Sequence, residues 1–212
     1  MRIALIDGPV PLDCPSLDYQ LYCCAPHAQA ASSPASAHAS QMVAAILCGA
    51  PEVTIDNYVV FPGKLATTVA AVNQALTQVI GSNADIIHCS FGMENMPENV
   101  AATINKLLSE GKHVVASSAA RGAVVYPANF TGVMSVQGDA RCAMGQWSWL
   151  DLPHADFGAN PRSKNPRIAG ASVAAAHFTG LLARELSEKP KDESAGSMIA
   201  NADYRGREQR LA

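Results

Sequence analysis

Three short segments, far apart in the chain, place an aspartate, a histidine and a serine where nucleophilic catalysis would need them. Asp7 ends the apolar run Ile3-Ala4-Leu5-Ile6 and is followed by Gly8-Pro9-Val10. His38 opens an apolar, helix-prone stretch over 38–45, and Ser172 stands at the start of a small-residue stretch over 170–177. A serine hydroxyl is a weak nucleophile at neutral pH and needs a base within hydrogen-bond reach. An imidazole serves as that base when a carboxylate holds its other nitrogen, fixes the tautomer and stabilises the imidazolium. Each residue alone has a plainer reading. Asp7 could be a turn residue before Gly8, His38 a surface residue at a helix start, and Ser172 an N-cap or packing residue. Together, in the order Asp, His, Ser, they read as a catalytic triad.

The elements that must position these residues follow from apolar patterning. Strands are expected over 3–6, 54–61, 84–89, 113–117 and 132–136, and helices over 41–48, 67–80, 99–108 and 170–186. The Ala-, Ser- and Pro-rich stretch 25–36 reads as a surface loop. Strands alternating with helices predict an α/β fold: three layers, a mostly parallel sheet with helices on both faces. In such sheets ligands sit beyond the carboxyl ends of the strands, where Asp7, Ser90 and the segment after Ala116 gather. A nucleotide-binding α/β domain is disfavoured, since neither a G-x-G-x-x-G turn after the first strand nor a P-loop lysine motif occurs.

The chain has 212 residues, 49% hydrophobic and 16% charged, which suits one globular domain over 1–186 with a polar C-terminal tail or final helix over 187–212. A net charge of −3 argues against a nucleic-acid or anionic-membrane partner. Arg2 is followed by only four apolar residues before Asp7, so the start reads as a strand, not a signal peptide, and a cytoplasmic location without a propeptide is expected. No apolar run is long enough to span a membrane. Cys14, Cys23, Cys24, Cys48, Cys89 and Cys142 fit neither a CxxC metal site nor a secreted disulfide framework. They are expected to be reduced, with no metal and no cofactor.

Five segments in this order resemble the subtilisin-like serine proteases (subtilases). Residues 3–10 resemble the family's aspartate strand and 38–45 its histidine helix. Ala84-Asp85-Ile86-Ile87-His88-Cys89-Ser90-Phe91-Gly92 resembles its substrate-lining strand. Residues 111–122, followed by Val124-Val125-Tyr126-Pro127-Ala128, resemble its oxyanion segment, and 170–180 its serine helix. The Asp7-Gly8-Pro9-Val10 variant is similar to the proteases of cyanobactin biosynthesis, cytoplasmic enzymes that cut ribosomal precursor peptides. The resemblance implies Ser172 as nucleophile, His38 as general base and Asp7 as its orienting carboxylate. It also implies that Ser90, Phe91 and Gly92 bind an extended peptide or precursor-protein segment by strand addition. The reaction would be peptide-bond hydrolysis or transpeptidation through an acyl-enzyme.

The oxyanion region, taken as Ala120, Ala171 and Arg121, departs from the family pattern. Ala120 stands where the family has asparagine, and Ala171 where threonine usually precedes the serine; Ala176 replaces a proline and Ala39 a glycine. Loss of one oxyanion donor in a subtilisin costs about 10²–10³ in turnover. Two readings follow. One is a slow, substrate-dedicated protease that borrows a donor from Ser117, Ser118, Arg121 or a neighbouring subunit, which leaves a homo-oligomer or partner subunit open. The other is a pseudoprotease that binds peptides or proteins without cutting them. His88, His113 and His177 read as packing histidines, and His27 and His154 carry no pattern. Trp147 and Trp149 read as a local apolar cluster or, as the alternative, the lining of a substrate subsite, with packing favoured, and the sequon at Asn129 has no role without a secretory route.

Overall fold

The structure, a computed structural model, describes residues 1–24, 33–121, 123–188 and 194–207. Its elements in chain order are β1 (Arg2–Asp7), β2 (Leu17–Tyr22), α1 (Pro34–Gly49), β3 (Thr54–Val59), α2 (Val69–Val79), β4 (Ile86–Cys89), α3 (Glu98–Ser109) and β5 (His113–Ser117). They continue with β6 (Met134–Gly138), β7 (Trp147–Leu152), β8 (Ala155–Ala159), α4 (Ala171–Glu188), α5 (Ser194–Ala200) and β9 (Tyr204–Arg205). One nine-stranded sheet runs in the order β2-β3-β1-β4-β5-β6-β8-β7-β9. Every neighbouring pair is parallel except β7 with β8. The expected α/β architecture, a mostly parallel sheet with helices on both faces, is what the chain adopts.

Strand parity sorts the core into two layers, because alternate side chains leave a strand on opposite faces. Ile3, Leu5, Ile86 and Val115 pack with α1 and α4, whereas Ala4, Ile6, Ile87 and Val114 pack with α2 and α3. Burial on both faces is why these strands read as unbroken apolar runs. Helices α1 and α4 cross closely. A Cβ on Gly180 would lie 2.2 Å from the Ile46 carbonyl oxygen, and one on Gly49 would lie 2.6 Å from the Gly180 carbonyl carbon. Only glycine fits at that crossing, which joins the last turn of α1 to the middle of α4.

Several boundaries differ from the sequence expectation. Helix α1 starts at Pro34, not at 41, because the Ser33 hydroxyl caps it by accepting the Ser36 N–H at 3.1 Å, with Pro34 suited to the first turn. Residues 34–36 of the expected loop are therefore helical, and 25–32 lie outside the described residues. Strand β2 is an exposed edge strand whose alternation, Leu17, Tyr19 and Leu21 against Asp18, Gln20 and Tyr22, spans one short stretch. Strands β7 and β8 form a hairpin in which Trp149 stacks on Phe157, and Phe157 on Phe178. The two tryptophans thus belong to packing, the reading favoured from the sequence. Beyond α4, Ser197 and Asn201 hydrogen-bond to Glu185, Trp147 Nε1 donates to the Met198 carbonyl at 2.7 Å, and β9 joins the sheet beside β7. The sequence carries no signal for a strand as short as β9.

Candidate active site

Ile6 and Cys89 are register partners on adjacent strands β1 and β4, so the next residues, Asp7 and Ser90, leave the sheet side by side. By parity both belong to the face covered by α1 and α4. Those two helices carry His38 and Ser172. The topology therefore delivers two residues from strand ends and two from the N-terminal turns of helices to one corner.

Asp7 is fully buried and collects three donors. The Gly8 N–H reaches Oδ1 at 2.6 Å, His38 Nδ1 lies 3.0 Å from Oδ1 and 3.1 Å from Oδ2, and the Ser90 hydroxyl donates to Oδ2. Gly8 is also where α1 rests on the strand end. A Cβ there would lie 2.4 Å from the Ala35 carbonyl oxygen, so the glycine sets how near His38 comes to Asp7. The His38 side chain is 12% exposed. Burial opposes its charged form, but the hydrogen bond and the charge of Asp7 outweigh burial and hold its pKa above the ordinary imidazole value. With Nδ1 turned to Asp7, Nε2 is the nitrogen left for chemistry.

His38 and Ser172 line one open cleft of about 420 Å³ together with Ser90, Phe91, Gly92 and Met93. Phe61 and Leu65 form its opposite apolar wall. The far end of the Ser90 segment is pinned by reciprocal bonds between Met93 and Tyr126 (Met93 N–H to Tyr126 O, 2.8 Å; Tyr126 N–H to Met93 O, 2.9 Å). Gly92 must be small because a Cβ would meet the Val125 side chain at 2.8 Å. The Ser172 hydroxyl donates to the Ser90 carbonyl at 2.8 Å rather than to His38. Ser172 sits in the first turn of α4, where N–H groups have no intrahelical acceptor and the helix dipole favours negative charge.

The oxyanion region is barer. Ala120 and Arg121 are exposed on the segment that follows β5, outside the residues lining the cleft, and Ala171 is the half-buried first residue of α4. The Ser117 hydroxyl donates to the Phe91 carbonyl at 3.5 Å, and the Ser118 hydroxyl donates to the His154 carbonyl at 2.5 Å. Both serines expected as substitute donors are thus engaged elsewhere. Arg121 makes no hydrogen bond or ion pair among the described residues.

No protein-family profile and no curated protein matches this chain. Among solved structures it is similar to the protease domain of PatA, with TM-score 0.72 and 19% identity over 92% of this chain and 84% of that one. A lanthipeptide protease gives TM-score 0.70 and 16% identity over 92% of this chain and 74% of that one. The prenylagaramide maturation protease PagA gives TM-score 0.65 and 18% identity over 91% and 77%. The chain has a subtilisin-like protease fold. Within that fold the structure brings together Asp7, His38, Ser90, Phe91, Gly92 and Ser172, and leaves Ala120 and Arg121 outside the cleft.

Two features of this corner escaped sequence reasoning. One is the second use of Ser90, whose hydroxyl binds Asp7 while its carbonyl faces Ser172. Its place directly after a strand that pairs with β1 was the available signal. The other is the bond made by His88, the expected packing histidine, fully buried two residues earlier on the same face: its Nδ1 lies 2.9 Å from the Thr179 hydroxyl oxygen. The Thr179 hydroxyl also lies 2.9 Å from the Ala175 carbonyl, to which it donates when His88 Nδ1 carries the imidazole proton. Burial pushes His88 down to about 4, so it is neutral at physiological pH. Among the described residues no helix is long and apolar enough to cross a membrane.

Proposed function

We propose that this protein is a serine endopeptidase that matures a precursor peptide in the cytoplasm, cutting an extended segment through an acyl-enzyme on Ser172. The observation that carries the reading is the Asp7–His38 pair at 3.0 Å on the wall of the same cleft as Ser172. The likeness in fold to maturation proteases supports a peptide substrate.

In this reading the substrate lies against Ser90–Gly92, its backbone N–H groups and carbonyls completing a strand-like ladder. Phe61, Leu65, Phe91 and Met93 offer apolar walls to its side chains. His38 Nε2 takes the Ser172 proton as Oγ attacks the scissile carbonyl. Asp7 stabilises the imidazolium by charge and by the Nδ1 hydrogen bond. The imidazolium then protonates the leaving amine, and water, deprotonated by His38, releases the acyl group. Charge on the tetrahedral oxygen is met by the Ser172 N–H and the α4 dipole, with no side chain in place of the family's asparagine. A slow, dedicated maturation enzyme tolerates that deficit; a digestive enzyme would not.

A second reading, a peptide-binding pseudoprotease, is favoured by one observation: the Ser172 hydroxyl is bonded to the Ser90 carbonyl. Incubation with a diverse peptide library, read by mass spectrometry, separates the two. New termini formed by the wild type and absent with Ser172→Ala establish the peptidase. Peptides retained intact by both proteins establish the binding module.

A further inference from the structure

The backbone turn after Asp7 is held by side chains that no catalytic scheme above employs. Asn57 on β3 is fully buried, opposite Leu5 of β1 on one side and Gln20 of β2 on the other. A primary amide at such a position costs stability unless its polar atoms are bonded. Asn57 Nδ2 donates to the Gly8 carbonyl at 3.0 Å and to Gln20 Oε1 at 2.6 Å. Gln20 Oε1 also accepts the Val10 N–H at 2.7 Å, while Gln20 Nε2 donates to the Tyr22 hydroxyl at 3.2 Å. Both acceptors facing Asn57 are oxygens, so its nitrogen must point toward them. Its Oδ1 has no partner among the described residues.

The two amides therefore grip both ends of Gly8-Pro9-Val10. Neither bond belongs to the ladder that holds β2 to β3, which has its own backbone pairing. What the grip fixes is the carbonyl side of Gly8, the residue whose N–H donates to Asp7 Oδ1 at 2.6 Å and against which Ala35 of α1 rests. Helix position passes through that turn, and so does the part of the carboxylate's orientation that the Ser90 hydroxyl does not set.

We propose that Asn57 and Gln20 are positioning residues, which lock the Gly8–Val10 turn and through the Gly8 N–H aim the Asp7 carboxylate at His38. The assignment rests on the reading of Asp7 and His38 as the base pair of a peptidase. Neither amide lines the cleft that holds His38 and Ser172.

The test is titration of His38 by NMR in full-length protein carrying ¹⁵N-labelled histidine, with the His38 signals assigned by their loss in His38→Gln. Asp7 is the ionisable group bonded to His38, and the neighbouring His88 stays neutral down to about pH 4, so the midpoint reports the Asp7 contact. The wild type should titrate above the free imidazole value. Asn57→Leu, near in size but without donors, should lower the midpoint by about half a unit or more. Gln20→Met, at a half-buried position, should lower it in the same direction and carries the test if Asn57→Leu does not fold. A folded variant with a lower melting temperature and an unchanged midpoint would show that the amides only brace the sheet, and would overturn the proposal. The titration needs no turnover, so absence of peptidase activity in the wild type would sink the proposed function and leave this result standing.

Discussion

At one end of the cleft Asp7 receives three donors, sits in full burial and holds His38 by Nδ1. Outside the cleft, the segment after β5 presents Ala119, Ala120 and Arg121 to solvent, with the Ser117 and Ser118 hydroxyls engaged by carbonyls. Under the proposed peptidase reading, the base end is over-determined and the oxyanion end rests on backbone alone. The difference matters because the two ends act at different moments. The dyad must be poised before attack, whereas oxyanion donors count only as charge develops in the transition state. A chain with this asymmetry should activate its serine well and turn over slowly.

The largest effect should come from the built end. Asp7→Asn leaves the shape but can hold His38 in the wrong tautomer, and should lower peptidase turnover by about 10⁴-fold, as the same change does in a trypsin-type triad. Steady-state cleavage of a fluorogenic peptide measures it. A loss below about tenfold would mean that the Asp7–His38 contact does not serve catalysis.

The next effect separates the two buried histidines of this corner by pH. His38 has a raised folded pKa, so its pairing with Asp7 stabilises the fold at low pH and that contribution is lost as pH rises through the folded value. His88 has a lowered one, so stability falls as pH drops from the unfolded value of 6.5 toward about 4. The integrated loss is about 3 kcal/mol. His88→Leu should flatten that acid slope in urea-unfolding curves recorded from pH 7 to pH 4, and an unchanged slope would place its origin elsewhere.

Gly8→Ala should break the base end mechanically. The added Cβ meets the Ala35 carbonyl oxygen, a backbone atom, so α1 has to shift. The expected cost is about 1–3 kcal/mol, read as a lower melting temperature, with His38 titrating nearer its ordinary value. The smallest effect concerns the bare end. Ala120 is exposed outside the cleft, so Ala120→Asn should leave turnover within about twofold of wild type. A rise of about tenfold or more would mean that the segment after β5 reaches the oxyanion during turnover.

The same asymmetry governs what the sequence revealed. Buried parallel strands announce themselves as apolar runs, and β5 spans the expected 113–117 because both of its faces are covered. The Asp, His and Ser residues were visible because their types and order are chemically restrictive. Helix α1 was expected to begin too late, since alanines and prolines before His38 look like a loop until the Ser33 cap is known. Strand β2 was missed because a single short alternation on an edge carries little signal. Its role matters all the same, for it brings Gln20 beside Asn57. Hydrogen bonds between side chains on different strands have no sequence period. The uses of Asn57, Gln20 and the Ser90 hydroxyl therefore became visible only in three dimensions. The engagement of Ser117 and Ser118 was hidden for the same reason, since Phe91 and His154 lie far from them in the chain.

The central claim, an activated nucleophile at Ser172, is tested most directly by a fluorophosphonate probe with the labelled residue mapped by mass spectrometry. The account predicts labelling of the folded wild type at Ser172 alone and none in Ser172→Ala, with a rate that falls as pH drops through the raised His38 pKa. No labelling of folded wild type across pH 6–9, or labelling that survives in Ser172→Ala, would contradict it.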